Sequence, residues 1–291
     1  MLFRRPSRRL RDLSRGRRFS CRRPLESSHR ERYRRVMKHL QLAACLFLAI
    51  ATSSCLSTGG SELSFGPETG TIGYSVEGRA IRVERFGKSG PTVLFIATIH
   101  GNEAAGTPLL REFSERLTNT PEHFAERRVV LVPEANPDGV LRGARHNASG
   151  VDLNRNFPAG NRAERATSGR RALSEPESRA LSDLIRESDP DLVVSIHQPV
   201  GCVDYDGPAE AIATRMSEAC GLPVRRLGAR PGSLGSWVGV DRQVPIITLE
   251  LPRNASELSE EELWNQYGSA LFVALESPLP VEPVPDAPKV R

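Results

Sequence analysis

The chain has 291 residues, of which 38% are hydrophobic, enough for one sizeable core but not for two full domains with linkers. Its net charge is +5, yet residues 1–36 hold 14 Arg against three acidic residues, and this local excess of +11 leaves −6 for residues 37–291. The basic character therefore belongs to the N-terminal leader, and the charge pattern excludes a nucleic-acid-binding stripe on the remainder of the chain.

A secretory signal begins at Met37. Residues 37–55 contain Lys38, then an apolar run from Leu40 to Ala51, then small residues that end in Cys55. The apolar run is shorter than the roughly 20 residues that a membrane-spanning helix needs. Residues 52–55 (TSSC) resemble a bacterial lipobox, in which the cysteine is lipidated, and ordinary cleavage near Cys55 is the alternative. We expect an exported bacterial protein, periplasmic or anchored to a membrane by this lipid alone.

Composition divides the rest of the chain into segments. Because a signal peptide should begin a chain, the Arg-rich leader at 1–36 indicates a start codon assigned too early, or a leader of another purpose. Residues 56–78 are rich in Gly, Ser and Thr and predict a flexible tether. Residues 79–276 predict the folded domain, and 277–291 a Pro-rich tail. Processing at Cys55 would leave Cys202 and Cys220, as a disulfide or as two free thiols.

Strand and helix patterns alternate along the folded domain, which indicates an α/β fold. Apolar, β-branched runs predict strands at 92–99, 129–133, 192–196 and 246–251. Helical spacing predicts helices at 104–117, 175–186, 209–220 and 259–276. Ser174 is the expected N-cap of the second helix, and Gly221 should end the third.

Three candidate metal ligands follow two of the predicted buried strands. His100 and Glu103 come directly after the strand at 92–99, and His197 ends the run DLVVSIH at 191–197. In an open α/β sheet the carboxyl ends of the strands are where sites form. Zinc needs three protein ligands of nitrogen or oxygen type and an open position for water. Gly101 would let the backbone pass closely between the first two ligands.

Further candidates lie in a later loop and in the last strand. Asn154 and Arg155 are adjacent, with Arg142 and Arg145 just before them, and an Arg fork beside Asn is suited to clamping a carboxylate. Glu250 lies within the apolar run IITLELP, so we expect it to be partly buried. Burial raises the pKa of a carboxyl group and suits a general base.

These motifs, in this order, resemble the zinc carboxypeptidase superfamily of carboxypeptidase A type. The pieces are the HxxE pair at His100 and Glu103, the stretch GVDLNRNFP at 150–158, the strand-end His197, and Glu250 near the C-terminus. The likeness spans about residues 79–276. It implies a single α/β domain with a mixed, mostly parallel twisted sheet, helices on both faces, and one zinc ion per chain.

Within that superfamily the chain is most similar to murein peptide amidases. The similar segments are GVDLNRNFP, SEPE at 174–177, PGSLGSW at 231–237 and ITLELP at 247–252, together with the position of Cys202 five residues after His197. The resemblance implies a cell-wall peptide as substrate and the γ-D-glutamyl–diaminopimelate link as the bond hydrolysed.

The resemblance also implies a role for each candidate residue. Glu250 would be the general base, and Arg145 the cation beside the oxyanion, with Arg142 as the alternative if the loop is aligned on the longer carboxypeptidase pattern. Asn154 and Arg155 would bind the substrate's terminal carboxylate. Residues 227–231 (LGARP) lack the Tyr that digestive carboxypeptidases carry before their Gly-Ser turn, so that contact must be absent or come from elsewhere.

Three rival functions remain compatible with the sequence. One is a zinc carboxypeptidase acting on ordinary α-linked peptides. Another is a surface binding protein that kept the fold and lost catalysis, which an intact Glu250 argues against. The third is a zinc acylase, which shares the HxxE pair and the later His but does not account for GVDLNRNFP.

Overall fold

The structure is a computed structural model, and it describes residues 66–279. The predicted leader, the signal peptide with its lipobox, residues 56–65 of the predicted tether, and 280–291 of the Pro-rich tail lie outside the described residues. Among the described residues, no helix has both the length and the apolar character needed to cross a bilayer.

A seven-stranded sheet in the order β1-β2-β4-β3-β5-β7-β6 forms the centre of the fold. The central strands β4, β3, β5 and β7 pair in parallel, whereas β1, β2 and β6 join at the edges in antiparallel pairs. The expected mixed sheet is therefore confirmed. The strands are β1 (Glu68–Tyr74), β2 (Ala80–Phe86), β3 (Thr92–Ala97), β4 (Arg128–Val132), β5 (Leu192–His197), β6 (Val200–Asp206) and β7 (Ile246–Pro252).

Helices cover both faces of the sheet, also as expected. On one face, α1 (Gly106–Asn119), α4 (Glu210–Cys220) and α5 (Glu260–Glu276) pack into one apolar cluster. On the other face, α3 (Pro176–Ser188) packs into a second cluster. The remaining regular elements of residues 66–279 are the short helix α2 (Pro137–Arg142), a π-helical segment at Gly235–Asp241, and 3-10 helices at Pro121–Phe124, Leu153–Arg155 and Arg253–Glu257.

The central strands are apolar on both sides because helices cover both faces. In β3 the side chains of Val93 and Phe95 join the first cluster, whereas Leu94 and Ile96 join the second. Successive side chains of a strand point to opposite faces, so a strand covered twice reads as a continuous apolar run. This is why the runs at 92–99 and 192–196 predicted strands correctly.

The predicted tether boundary is wrong at its C-terminal end. Strand β1 lies inside residues 56–78 and pairs antiparallel with β2. Gly73 serves packing rather than flexibility, because a Cβ added there would lie 2.8 Å from the Cβ of Ala180 on α3. A Gly-rich segment can therefore be an edge strand when a helix approaches its backbone closely.

The helix ends are partly as predicted. Gly221 ends α4 in the left-handed conformation, with φ 71°, which glycine adopts without steric penalty. Ser174 is not the N-cap of α3: Glu175 occupies that position, and the Ser174 hydroxyl donates to Glu175 Oε1 at 2.7 Å instead. Because the Ser174 hydroxyl bonds to the Glu175 side chain, it does not cap the backbone N–H groups of α3.

Candidate active site

The three predicted metal ligands meet at one edge of the sheet. His100 and Glu103 follow β3, and His197 is the last residue of β5, the parallel neighbour of β3. One donor atom from each residue lies within 4.8 Å of the others, and all three side chains are buried. Gly101 makes the turn possible, since a Cβ there would overlap the backbone of Gly139 and Val140.

Glu103 stands between the two histidines. Its Oε1 lies 2.7 Å from Nδ1 of His100, and its Oε2 lies 2.8 Å from Nδ1 of His197. The backbone N–H of Gln198 also donates to Oε2, at 3.2 Å. Burial alone would raise the pKa of the Glu103 carboxyl, but the His197 and His100 rings beside it hold that pKa well below its usual range. The carboxylate is therefore ionised at neutral pH.

Asp152 orients His100, a role that the sequence analysis did not assign. Its Oδ1 lies 3.0 Å from Nε2 of His100, and its Oδ2 accepts from Nε of Arg145 at 3.0 Å. Burial opposes ionisation of Asp152, but the His100 hydrogen bond and the nearby positive charges hold its pKa well below the usual value. Asp152 lies in the motif GVDLNRN, two residues before Asn154, and this position is the feature of the sequence that could have identified it as a site residue.

The donor set fits a zinc ion. Asp152 takes the Nε2–H of His100, which leaves Nδ1 of that ring free as a ligand atom. Two imidazole nitrogens that face the oxygens of one ionised carboxylate need a proton or a cation between them. Nitrogen and oxygen donors in a group of three are the set that zinc binds while keeping a position open.

Glu250 lies beside the ligand group on β7. It is directly opposite His197 in the register of β5 and β7. Its Oε2 is buried and has no hydrogen-bond partner among residues 66–279, and burial raises the pKa of its carboxyl group. A carboxylate oxygen without a hydrogen-bond partner is free to accept a proton from a water molecule in the cavity.

Of the two candidate arginines, only Arg145 reaches the site. It donates through Nη1 to Glu103 Oε1 at 3.1 Å as well as through Nε to Asp152, and it lines the cavity. Arg142 lies in the last turn of α2, where it pairs with Glu77, and it is not part of the cavity wall. The prediction of Arg142 as a substrate-binding residue, or as the alternative oxyanion residue, is thus corrected. The chain turns at Gly143, with φ 57°, which separates the two arginines.

Asn154 and Arg155 line the cavity, as predicted. The Oδ1 of Asn154 accepts from the backbone N–H of Leu234 at 2.8 Å, so its side-chain carbonyl is already bound. Arg155 Nη1 donates to the backbone carbonyl of Asn154 at 2.5 Å. These contacts hold the pair at the cavity and leave the remaining guanidinium N–H groups for a ligand.

The cavity has a volume of about 220 Å³ and contains several residues that the sequence analysis missed. Most of them come from β6 and from the segment before the π helix. Strand β6 was not predicted, because its acidic residues interrupt the apolar alternation. The missed polar lining residues are Gln198, Asp204, Asp206, Arg230, Ser233 and Thr248.

Both cysteines of the described residues are free thiols. Cys202 is buried on β6 opposite Glu250, and Cys220 is half-buried at the end of α4. Burial, with the Glu250 charge nearby, raises the pKa of the Cys202 thiol to about 11. That thiol is protonated and unreactive at neutral pH.

Comparison with known proteins agrees with this geometry. A family model described as zinc carboxypeptidase matches residues 67–205. Murein peptide amidase A of Escherichia coli K12 is 36% identical over 187 residues, which cover 58% of this chain and 74% of that protein. Murein peptide amidase A of Vibrio campbellii is 34% identical over 187 residues, covering 58% and 73% respectively.

Solved structures show the same fold. The murein-tripeptide amidase of Escherichia coli O157 matches with a TM-score of 0.60 at 32% identity, over 72% of this chain and 91% of that one. Carboxypeptidase A of Helicoverpa armigera matches with a TM-score of 0.61, over 72% of this chain and 69% of that one. Its 22% identity supports a likeness of fold alone.

Proposed function

The chain belongs to the zinc carboxypeptidase family and is a hydrolase, and from that premise we propose that it cleaves murein peptides at the γ-D-glutamyl–diaminopimelate bond. The relatives that are 34% and 36% identical are murein peptide amidases, which supports this substrate class. One observation carries the proposal: the ligand group, Glu250, Arg145 and Arg155 line a single cavity.

We propose one zinc ion per chain, held by His100, Glu103 and His197. When bound there, zinc polarises the scissile carbonyl and lowers the pKa of water beside it toward about 7. Asp152 keeps the His100 ring in the orientation and tautomer that present Nδ1 to the site.

Glu250 is the proposed general base. Its unpartnered Oε2 accepts a proton from the attacking water, and the carboxyl group delivers it to the nitrogen of the leaving amine as the C–N bond breaks. Burial raises its pKa and so brings its proton affinity closer to what transfer at neutral pH needs.

The arginines and Asn154 have separate proposed tasks. Arg145 provides positive charge beside the ligand group, where an oxyanion develops on the scissile carbonyl. Arg155 and Asn154 bind the free carboxylate of the substrate, since a guanidinium fork matches a carboxylate in geometry and charge. Holding that carboxylate places the susceptible bond beside Glu250.

The test is digestion of L-Ala-γ-D-Glu-diaminopimelate beside an ordinary α-linked C-terminal peptide, each with and without a chelator. We expect chelator-sensitive release of diaminopimelate and no cleavage of the α-linked peptide, measured by mass spectrometry of the products. Cleavage of the α-linked peptide alone would make the protein an ordinary carboxypeptidase. Cleavage of neither would contradict both peptidase functions.

We also propose that the protein is exported and anchored by a lipid on Cys55. A signal-like segment at 37–55 supports this location, and it would bring the hydrolase to cell-wall peptides.

A further inference from the structure

Glu103, His197 and Glu250 lie on three separate segments of the chain. Glu103 is in the turn after β3, His197 ends β5, and Glu250 lies near the end of β7. Pairing in the sheet fixes β5 against β7, with His197 opposite Glu250. The pairing of β3 with β5, in contrast, ends at Ala97 and Ile196. The turn that carries Glu103 therefore lies beyond the paired residues and needs other contacts to hold it against the two strands.

Gln198 makes such contacts with both its backbone and its side chain. Its backbone N–H donates to Glu103 Oε2 at 3.2 Å. Its side-chain Oε1 accepts from the backbone N–H of Ala105 at 3.1 Å. Its Nε2 donates to the backbone carbonyl of Pro252 at 3.3 Å and to Ser256 Oγ at 3.0 Å. One residue therefore joins the Glu103 turn to the end of β7.

The backbone partners of Gln198 require an amide side chain. The Ala105 N–H can only donate and the Pro252 carbonyl can only accept, so the side chain between them must offer an oxygen and an N–H group. An ionised Glu would accept without donating, and Met would do neither. Because only 6% of Gln198 is exposed, bulk water would not replace a lost partner.

The contact with Ala105 acts at the start of α1. Ala105 is the N-cap residue of this helix, and its own side chain makes no capping hydrogen bond. Within the preceding turn, the Glu103 N–H donates to the His100 carbonyl at 3.1 Å. A displacement of Ala105 would therefore move a short turn that holds two of the three candidate metal ligands.

We propose that Gln198 is a positioning residue, which holds Glu103 against His197 and Glu250 and so sets the metal site relative to the general base. The proposal rests on the proposed function and deepens it, because it assigns the contact that joins the two parts of the site. Gln198 acts here through the backbone of the Glu103 turn and of β7, and it takes no part in proton transfer.

Zinc affinity is the first test, and it needs no substrate. Gln198→Met keeps the approximate size of the side chain and removes both hydrogen-bonding groups. Titration of the metal-free protein against a competing chelator should show zinc affinity lower by about 10- to 100-fold, the effect typical of losing an outer partner of a metal ligand. Gln266→Met, at an exposed position on α5, is the matched control and should bind zinc as the wild type does. Equal zinc affinity of folded Gln198→Met and the wild type would overturn the proposal.

Kinetics of the zinc-saturated proteins separate positioning from substrate binding. For L-Ala-γ-D-Glu-diaminopimelate, Gln198→Met should lower kcat by about 10- to 100-fold, because the metal site and Glu250 are no longer held together. KM should stay near the wild-type value, since the hydrogen bonds of Asn154 and Arg155 do not involve Gln198. A raised KM with an unchanged kcat would place Gln198 in substrate binding and would also overturn the proposal.

Thermal unfolding of the metal-free proteins identifies a purely structural role. Gln198→Met should unfold at a lower temperature, because the Ala105 N–H and the Pro252 carbonyl lose their partner. A lower unfolding temperature together with wild-type zinc affinity and kcat would show that Gln198 only stabilises the fold, against the proposal. Should Gln198→Met fail to fold, Gln198→Asn replaces it: its amide is one methylene shorter and cannot reach both partners, so zinc affinity should again fall.

The positioning role and the proposed function can fail separately. If the wild-type protein bound zinc but did not cleave the murein peptide, the proposed function would fail, and the zinc affinities would still decide the role of Gln198. If the wild-type protein bound no zinc, the metal site and the positioning role would both be wrong.

Discussion

Substitution of Glu250 can separate the catalytic step from substrate binding. Glu250→Gln keeps the size of the side chain but removes the proton acceptor, so kcat should fall by about 10²- to 10⁴-fold, the contribution of general acid–base catalysis. KM and zinc content should change little, since the ligands and arginines are untouched. Steady-state kinetics with metal analysis checks this, and near-normal turnover would remove Glu250 from the mechanism.

The pH dependence of activity is a second test of Glu250. A general base must be ionised, so activity is lost as the pH falls through its pKa. Burial raises the pKa of Glu250, and the acid limb of kcat/KM should report the titration of this carboxyl group beside the bound metal. The residual activity of Glu250→Gln should lack this limb; if it kept the limb, another group would be titrating.

Arg155 tests the carboxylate clamp, and Arg142, which lies outside the cavity, is its matched control. Arg155→Ala should raise KM about 10- to 100-fold, since a charge-assisted hydrogen bond to the substrate contributes a factor of that size. Arg142→Ala should leave KM and kcat near wild type, because its ion pair with Glu77 lies at the surface. Equal effects of both substitutions would contradict the placement of the arginines.

The metal site predicts a stoichiometry. Elemental analysis of the purified protein should find about one zinc per chain, and His197→Ala should lose it, because two remaining ligands bind zinc weakly. Asp183→Asn, at an exposed aspartate on α3, is the surface control and should keep the zinc. Full zinc occupancy in His197→Ala would exclude His197 from the site.

At the scale of elements, the turn after β3 depends on a glycine. Gly101→Ala should destabilise the fold by roughly 1–3 kcal/mol and lower zinc affinity, because the added Cβ would overlap backbone atoms of α2 and displace His100 and Glu103. Thermal unfolding and zinc titration measure both effects.

Gly160→Ala is the control for that substitution. Its added Cβ would lie no closer than 3.6 Å to the atoms around it, at Asp241 Oδ1, so the change should be tolerated. If Gly101→Ala were as stable and bound zinc as well as Gly160→Ala, the close approach of the two backbones would not matter to the site.

The strands of the parallel centre were predictable, and β1, β2 and β6, which join it in antiparallel pairs, were not. The apolar runs of β3 and β5 predicted strands and, with them, the positions of His100 and His197. Strand β1 has the composition of a tether, and β6 has the composition of a polar loop. An edge strand is defined by its pairing with a distant neighbour, and composition does not report that pairing.

At the scale of the whole molecule, the N-terminal segments predict export and anchoring. Cys55→Ala should release the protein from the membrane fraction, because a lipobox cysteine carries the lipid. Expression with and without residues 1–36 should yield the same mature N-terminus if initiation occurs at Met37. Fractionation and N-terminal mass spectrometry test these points, and a peptide from the Arg-rich leader in the natural host would contradict the Met37 start.

The sequence by itself determined the α/β class and located the three candidate metal ligands, the candidate base Glu250 and the Asn154–Arg155 pair. Each of these residues follows a buried apolar strand, lies within one, or belongs to a short motif, so local pattern is enough to find it.

Only the tertiary structure decided between Arg145 and Arg142. The chain turns at Gly143, so that Arg145 lines the cavity and Arg142 forms an ion pair with Glu77. The tertiary structure also placed Asp152 behind His100 and brought Asp204 and Asp206 to the cavity. Those placements depend on which strands become neighbours, and contacts between residues far apart in the chain leave no local pattern in the sequence.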